Sequence, residues 1–206
     1  MTDWILNQLI WLPAILIGLT FHEYAHGQVA DWLGDDTPYY QGRLTLNPLP
    51  HIDWVGFFML LFFHFGWAKP VQVNPYNFKQ TGVKRGMMLV SLAGPTMNFL
   101  IALTGMGIMR LAGIDPLGVS TPIGFLLWTL VYINIILGVF NLIPVPPLDG
   151  SKILAGLLPD SGAQIIYALE QYGFIILLIL IVSGAFSGIL VPLVETIFGL
   201  FYQVFF

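Results

Sequence analysis

The chain contains uncharged stretches that are long enough to cross a membrane. No side chain from Trp4 to Phe21 is charged, and similar apolar runs extend over Gly86–Met109 and about Thr121–Leu142. A helix needs about 20 mainly apolar residues to cross the hydrocarbon core. Charged residues make up only 9% of the 206 residues, against about 25% in soluble domains. The sequence therefore predicts an all-α polytopic membrane protein, a bundle of roughly five to six membrane helices.

Composition also limits the partners and the chemistry of this chain. No polar stretch is long enough to build a soluble domain, so we expect a single membrane-embedded domain over residues 1–206, with the lipid bilayer as a partner. A formal net charge of −4 leaves no basic patch for nucleic acid. The chain has no cysteine, so any metal must be held by nitrogen and oxygen atoms.

Two short segments between the apolar runs alternate apolar and polar residues. Gly42–Pro48 and Ala68–Pro75 predict strands, the second at a sheet edge because Pro70 has no N–H. Residues 54–67 lie between them and are apolar but short for a span, so we expect a re-entrant or tilted segment. The pattern predicts a small re-entrant β-hairpin or sheet near the cytoplasmic face, beside a cavity.

The C-terminal part, from about Ala163, is apolar and is interrupted near Ser183–Gly188. It could cross the membrane once or twice, and we favour two helices joined by a glycine hinge.

Basic residues indicate the orientation in the membrane. Lys79, Lys84 and Arg85 precede the run that begins at Gly86, whereas Arg110 is the single basic residue at its other end. By the positive-inside rule, the side with three basic residues is cytoplasmic. We therefore expect a multi-pass protein of the cell membrane, with the end of the first helix near the cytoplasmic face.

Near that end the first helix carries the sequence H-E-x-x-H, formed by His22, Glu23 and His26. Residues four apart lie on one face of a helix, so both imidazoles can reach one cation while Glu23 lies beside them. Glu23 could then take a proton from water whose pKa the metal lowers. The alternative is a set of polar groups that satisfy each other inside the helix bundle.

A catalytic zinc site has three protein ligands and an open position, so a third ligand is needed. The best candidate is Asp149, which follows the proline-rich loop "IPVPP" after the third apolar run. An aspartate before "GSKIL" is equally well suited to be the N-cap of a short helix. From the residues alone, ligand and cap remain open.

The two motifs resemble those of the site-2 protease family of intramembrane zinc metalloproteases. "HEYAHG" matches the first family motif, and "NLIPVPPLDG" matches the second, N-x-x-P-x-x-x-L-D-G, at every position from Asn141 to Gly150. The segments "GRLTLNPLPHID", "GWAKPVQVNP" and "SLAGPTMN" are similar to the short prokaryotic branch, which has no PDZ or CBS domain. The likeness covers most of the chain.

This resemblance implies a site and a function. One Zn²⁺ per chain would be bound by His22, His26 and Asp149, with Glu23 as the general base. Asn141 would orient the substrate or stabilise the oxyanion, with a helix–helix hydrogen bond as an equal alternative. The substrates would be transmembrane segments of other proteins, unwound before cleavage, and the edge segment Ala68–Pro75 could hold them by strand addition.

Two rival functions remain. A catalytically silent relative could bind membrane proteins, although it would have little use for Glu23 beside an open metal position. A metal or proton transporter could use the same residues as a relay, but transporters often contain an internal repeat, and the two motifs do not resemble each other.

We expect the other histidines and asparagines in or near the apolar runs to have structural roles. We expect packed or interfacial roles for His51 and His64. We also expect Asn98 and Asn134 to make hydrogen bonds between membrane helices.

Overall fold

A computed structural model describes the backbone of residues 2–63 and 66–206, and the side chains of residues 10–62 and 66–206. His64 lies outside the described residues. The described backbone is mainly helical. Its α-helices are α1 (Thr2–Trp32), α2 (Thr37–Tyr40), α3 (Trp54–Phe63), α4 (Val83–Leu111), α5 (Pro122–Leu142), α6 (Asp149–Leu157), α7 (Asp160–Glu170), α8 (Gly173–Val182) and α9 (Ala185–Phe205).

Three long helices, α1, α4 and α5, pack against one another, and α9 packs on the outer side of α4 and α5. The apolar core lies between α4, α5 and α9, and its buried residues are Ala102, Met106, Met109, Val131, Ile135, Val139 and Val194. The opposite side of α4 faces α1 and carries polar side chains instead. The fold therefore separates an apolar core from a polar contact between helices.

Among the described residues, α4, α5 and α9 are long and apolar enough to cross a membrane. The pair α7 and α8 would add a fourth span only if the two helices count as one, and they are bent by 76°. The described residues thus contain three candidate spans, or four with the bent pair, instead of the predicted five to six. The reason is that apolar segments such as α3, with 10 residues, extend only about 15 Å, half the thickness of the hydrocarbon core.

Residues 52 and 68, which flank the segment containing α3, lie next to each other. Ile52 and Ala68 form an isolated antiparallel bridge, and α3 lies between them. The chain then returns along α3, in what we call the return segment (residues 66–74). The return is close because glycine lies on both sides: a Cβ at Gly56 would lie 2.2 Å from the carbonyl oxygen of Trp67, and a Cβ at Gly66 would lie 2.2 Å from that of Gly56.

The prediction of a small β-hairpin or sheet was wrong. Neither Gly42–Pro48 nor Ala68–Pro75 forms a strand, and the bridge between Ile52 and Ala68 is isolated within the described residues. In the first segment, side chains satisfy the backbone locally: Asn47 N–H donates to Thr45 Oγ1, and Leu49 N–H donates to Asn47 Oδ1. Such turns compete with a strand ladder.

Beyond Lys69, two N–H groups of the return segment bind side chains instead of a neighbouring strand. Val71 N–H donates to Glu23 Oε2 at 2.8 Å, and Asn74 N–H donates to Asp35 Oδ2 at 2.7 Å. Both carboxylates belong to α1 or to the turn that follows it. The alternation in the sequence was real, but the partner of this segment is a helix that carries acidic residues.

Asp35 fixes the turn after α1. Its carboxylate is fully buried and accepts hydrogen bonds from the N–H and hydroxyl of Thr37, from Asn74 N–H and from Asn77 Nδ2. Burial favours the protonated acid, but these donors outweigh it and hold the pKa of the Asp35 carboxyl below its usual value. The end of α1 is thereby attached to the end of the return segment.

The C-terminal part contains three helices, α7, α8 and α9, one more than predicted, and the predicted glycine hinge lies between the last two. Helix α8 ends at Val182, and Gly184 adopts φ +75° before α9 begins at Ala185. A left-handed backbone at this position suits glycine, because it has no Cβ. The edge of the Trp67 ring also contacts Phe174 in α8, with the ring centroids 6.3 Å apart.

We expect Gly56→Ala to separate the return segment from α3, because the new Cβ would meet the backbone of Trp67 and not a flexible side chain. The change should lower the free energy of unfolding by about 2 kcal/mol and increase amide hydrogen exchange over residues 66–69. Gly188→Ala is the matched control, because a Cβ there meets nothing within 4 Å. Equal behaviour of the two variants in thermal unfolding and exchange would contradict this packing.

Candidate metal centre

Three side chains from distant parts of the sequence converge at the contact between α1, α4 and α6. His22 Nε2 and His26 Nε2 lie 3.1 and 3.2 Å from Asp149 Oδ2, and 2.9 Å from each other. Both imidazoles are buried, and the carboxylate is nearly so. We call these three residues the metal triad. Their ligand atoms form the one group in the described part of the chain with the composition of a metal site.

Hydrogen bonds on the far side of each ring determine which nitrogen faces the centre. His26 Nδ1 donates to the carbonyl oxygen of Val90 at 2.7 Å. His22 Nδ1 donates to Asn98 Oδ1 at 2.7 Å, while Asn98 Nδ2 donates to Gly18 O and Asn134 Oδ1. A neutral imidazole has one N–H, so both Nε2 atoms carry lone pairs toward Asp149. Partners of this kind fix the orientation of metal-binding histidines.

The residues present fit a zinc ion. Two imidazole lone pairs and a carboxylate oxygen point at one another, and the buried Asp149 Oδ2 accepts no hydrogen bond within the described structure. Ligand atoms around a tetrahedral zinc ion lie about 3.3 Å apart, close to the distances in the metal triad. Without a cation, this arrangement would bring three electron-rich atoms together with no proton between them.

The turn between α5 and α6 positions Asp149 at the metal triad. It is the first residue of α6, whereas the N-cap position is Leu148, and no side chain caps that helix end by a hydrogen bond. The N-cap interpretation of Asp149 is therefore wrong. Gly150 allows the close turn, since a Cβ there would lie 2.3 Å from the carbonyl oxygen of Leu142.

Glu23 lies beside the metal triad with one oxygen anchored. Oε2 accepts the Val71 N–H at 2.8 Å and lies 4.0 Å from Nη2 of Arg43. Oε1 makes no hydrogen bond to any of the described residues. The carboxylate is thus oriented by one oxygen, while the other remains available to a reactant.

A mostly apolar cavity of about 610 Å³ lies next to this site, between α1, α3, α5 and the return segment. Thr20 of α1, two residues before His22, and His51 belong to its wall. The exposed residues of α3 lie on that helix's outer face and include Trp54, Phe58 and Phe62. A cavity beside non-helical backbone was expected from the sequence.

Asn141 and His51 are not joined to the metal triad by any hydrogen bond in the described part of the chain. Asn141 Nδ2 donates to Leu137 O, one turn earlier in α5, so its role toward the substrate or oxyanion stays a prediction. His51 is buried, as expected of a packed histidine, and its Nε2 donates to Thr45 O. Burial lowers the pKa of His51, and the charge of Arg43 lowers it further.

The sequence interpretation missed three residues around the site. Asn98 and Asn134 do bond between helices, as expected, but Asn98 also orients a residue of the metal triad. Gly94 leaves room for both imidazoles: a Cβ there would lie 2.5 Å from His26 Nε2 and 2.6 Å from His22 Nε2. Arg43 lies beside Glu23. Each residue lies in a segment that is similar to the short prokaryotic branch of the family, "SLAGPTMN" or "GRLTLNPLPHID". That similarity could have identified them.

Comparisons with known proteins place this site in a family. Residues 106–184 match Peptidase family M50, a stretch that includes Asp149. The chain is 38% identical over 201 residues to "Putative zinc metalloprotease YwhC" of Bacillus subtilis, covering 93% of this chain and 90% of that protein. The chain belongs to peptidase family M50. The resemblance to the site-2 protease family is thereby confirmed.

Other relatives carry the same description. "Putative zinc metalloprotease Rip2" of Mycobacterium tuberculosis is 29% identical over 199 residues, covering 92% of this chain and 70% of that protein. "Putative zinc metalloprotease MJ0611" of Methanocaldococcus jannaschii is 30% identical over 156 residues, covering 73% of this chain and 71% of that protein. No solved structure is significantly similar to the chain.

Family M50 membership confirms the expected enzyme class, a zinc metalloprotease, and the expected Zn²⁺ cofactor. The apolar helices α4, α5 and α9 confirm a membrane protein. The all-α class of the fold is retained, without the predicted sheet.

We expect Gly94→Ala to weaken zinc binding, because the added methyl group would occupy space that the two imidazoles now fill. The loss of affinity should be about 10- to 100-fold, the range seen when groups that orient ligands are disturbed. Gly107→Ala, in the same helix, is the control, since its Cβ would approach only Phe205 at 3.4 Å. Zinc titration against a chelator measures both variants, and equal affinities would contradict this geometry.

Proposed function

We propose that this M50 protein hydrolyses peptide bonds in or near transmembrane segments of other membrane proteins. The observation that carries the proposal is the position of Glu23 beside the metal triad, in a polar site that α1, α4 and α6 bury between them. An intramembrane site of ionisable residues is costly unless it has a function. Hydrolysis there requires a substrate segment that reaches the same depth.

The side chains have separate roles in this proposal. His22, His26 and Asp149 would hold the zinc ion, which when bound polarises the scissile carbonyl and lowers the pKa of water. Glu23 takes a proton from the attacking water at Oε1, while Val71 N–H keeps Oε2 in place. The same oxygen then returns the proton to the leaving amine. Asn141 remains a candidate for orienting the substrate or stabilising the oxyanion.

The return segment offers a place for an unwound substrate. Backbone groups of an extended chain alternate in direction, and Lys69 N–H, Lys69 C=O and Val71 N–H are used on the inner side. The N–H and C=O of Gln72 make no hydrogen bond with any described residue, and Gln72 is exposed. An extended substrate could pair with them by strand addition, with its apolar side chains in the neighbouring cavity.

The cell membrane is the proposed location, with the active site toward the cytoplasm. Lys79, Lys84 and Arg85 lie at or before the start of α4. Val90, which binds His26, is seven residues into that helix, about 10 Å from its start. The positive-inside rule then puts the metal triad about 10 Å inside the cytoplasmic surface.

The deciding experiment combines zinc analysis with cleavage of a panel of single-span substrates by the protein purified in detergent. We expect about one zinc per chain for the wild type and for Glu23→Gln, with cleavage abolished in Glu23→Gln because the base is gone. Asp149→Ala should lose both zinc and cleavage, because it removes a ligand.

Two outcomes would contradict the proposed hydrolysis. The first is cleavage that survives in Glu23→Gln at the wild-type rate. The second is metal flux in vesicles that Glu23→Gln leaves undiminished while no substrate is cut, which would favour the transporter.

Strand addition is tested at Gln72. We expect Gln72→Pro to raise KM about tenfold, because it removes the outward N–H and leaves a substrate carbonyl without its donor. Gln72→Ala keeps the N–H and is the matched control. Equal KM values for Gln72→Pro and Gln72→Ala would show that the substrate does not use this edge.

A further inference from the structure

Arg43 is a buried cation in a membrane protein that contains few charges. It lies between α2 and the turn of Leu49–His51, and the residue is only 3% exposed. Burying a charge is costly unless the charge is paired and hydrogen-bonded. Burial lowers the pKa of the Arg43 guanidinium and Glu23 raises it, and an arginine remains charged under all ordinary conditions.

The guanidinium of Arg43 joins two backbone segments that are distant in sequence. Nη1 donates to the carbonyl oxygen of Pro50 at 2.9 Å, and Nη2 donates to that of Lys69. Next to it, Lys69 N–H donates to His51 O at 2.9 Å. Arg43 therefore fixes the start of the return segment against the turn that precedes α3.

The segment that Arg43 fixes is the one that orients Glu23. Lys69, whose carbonyl binds Arg43, is two residues before Val71, whose N–H binds Glu23 Oε2. Pro70 between them restricts the backbone, because its ring sets φ. Arg43 Nη2 is also 4.0 Å from Glu23 Oε2, so the cation acts on the carboxylate both through the backbone and by direct attraction.

We infer that Arg43 is a positioning residue for hydrolysis: its guanidinium holds residues 69–71 so that Val71 N–H anchors one oxygen of Glu23 and leaves the other free to exchange a proton. The inference rests on the proposed role of Glu23 as the base. It assigns a function to a contact between a cation and a carboxylate that neither sequence motif contains.

A purely structural role and a positioning role differ in what they change. A packing defect would weaken zinc binding and substrate binding together with turnover. Loss of positioning should reduce kcat alone, because Arg43 contacts neither the metal triad nor the outer edge at Gln72. The planar fork of the guanidinium matters as well, since it supplies two donors in fixed directions.

The test compares Arg43→Gln with Arg110→Gln, a control that removes an exposed arginine at the opposite end of α4. We expect Arg43→Gln to keep about one zinc per chain and a KM within about threefold of the wild type, with kcat reduced about 100-fold, the usual contribution of a positioned base. Amide exchange over residues 68–71 should increase about tenfold. Arg110→Gln should match the wild type in every measurement.

Chemical rescue separates positioning from misfolding. Arg43→Ala should recover at least tenfold in kcat when ethylguanidinium is added, and an equal concentration of ethylammonium should restore less because it lacks the fork. If Arg43→Gln loses zinc, this rescue decides the question. Failure of ethylguanidinium to restore turnover, or an unchanged kcat in Arg43→Gln, overturns the inference while leaving the proposed hydrolysis intact.

Failure of the proposed hydrolysis has a different signature. In that case the wild type itself cleaves nothing in the substrate panel, and the exchange of residues 68–71 still reports whether Arg43 holds the return segment. Unchanged exchange in Arg43→Gln would overturn the inference by itself.

Discussion

The contact between α1 and α4 is the interaction on which the site depends. His22 and His26 lie on the face of α1 that meets α4, and each ring donates a hydrogen bond to a group on α4, Asn98 Oδ1 or Val90 O. Gly94 lies between these two groups and makes the close approach possible. A helix pair in a membrane gains little from the hydrophobic effect, so small residues and interhelical hydrogen bonds determine its geometry. Here the same groups that join the helices also orient the ligands.

The two sides of the site are built differently. The metal triad is held by helices, with fully buried partners such as Asn98 and Asn134. Glu23 belongs to α1 as well, but its orientation is set by the return segment, in which Lys69 N–H, Lys69 C=O and Val71 N–H bind groups from other segments. This arrangement holds the ligands rigidly, while the groups that meet a substrate lie on backbone without regular structure.

Sequence reasoning predicted the parts of the site that are local. His22, Glu23 and His26 are related by the period of one helix, and Asp149 stands in a motif whose residues are consecutive or nearly so. Asn98, Gly94 and Arg43 could not be assigned in this way, because their roles arise from contacts across about 20 to 80 positions that only the folding of the chain brings together. The predicted sheet failed for a related reason: period-two alternation identifies an extended chain, but it does not identify the partner that binds the backbone. For Val71 that partner is a carboxylate of α1.

This replacement of a strand by a carboxylate has a consequence for catalysis. In a sheet, an inward N–H would be used only for stability. Here it orients Glu23, so the segment proposed to receive the substrate on its outer side orients the base on its inner side. A substrate that pairs with Gln72 would immobilise the backbone next to Val71 N–H, which belongs to the preceding residue. Substrate pairing and orientation of the base thus use opposite sides of one segment, and Arg43, at the start of that segment, holds the side that orients the base.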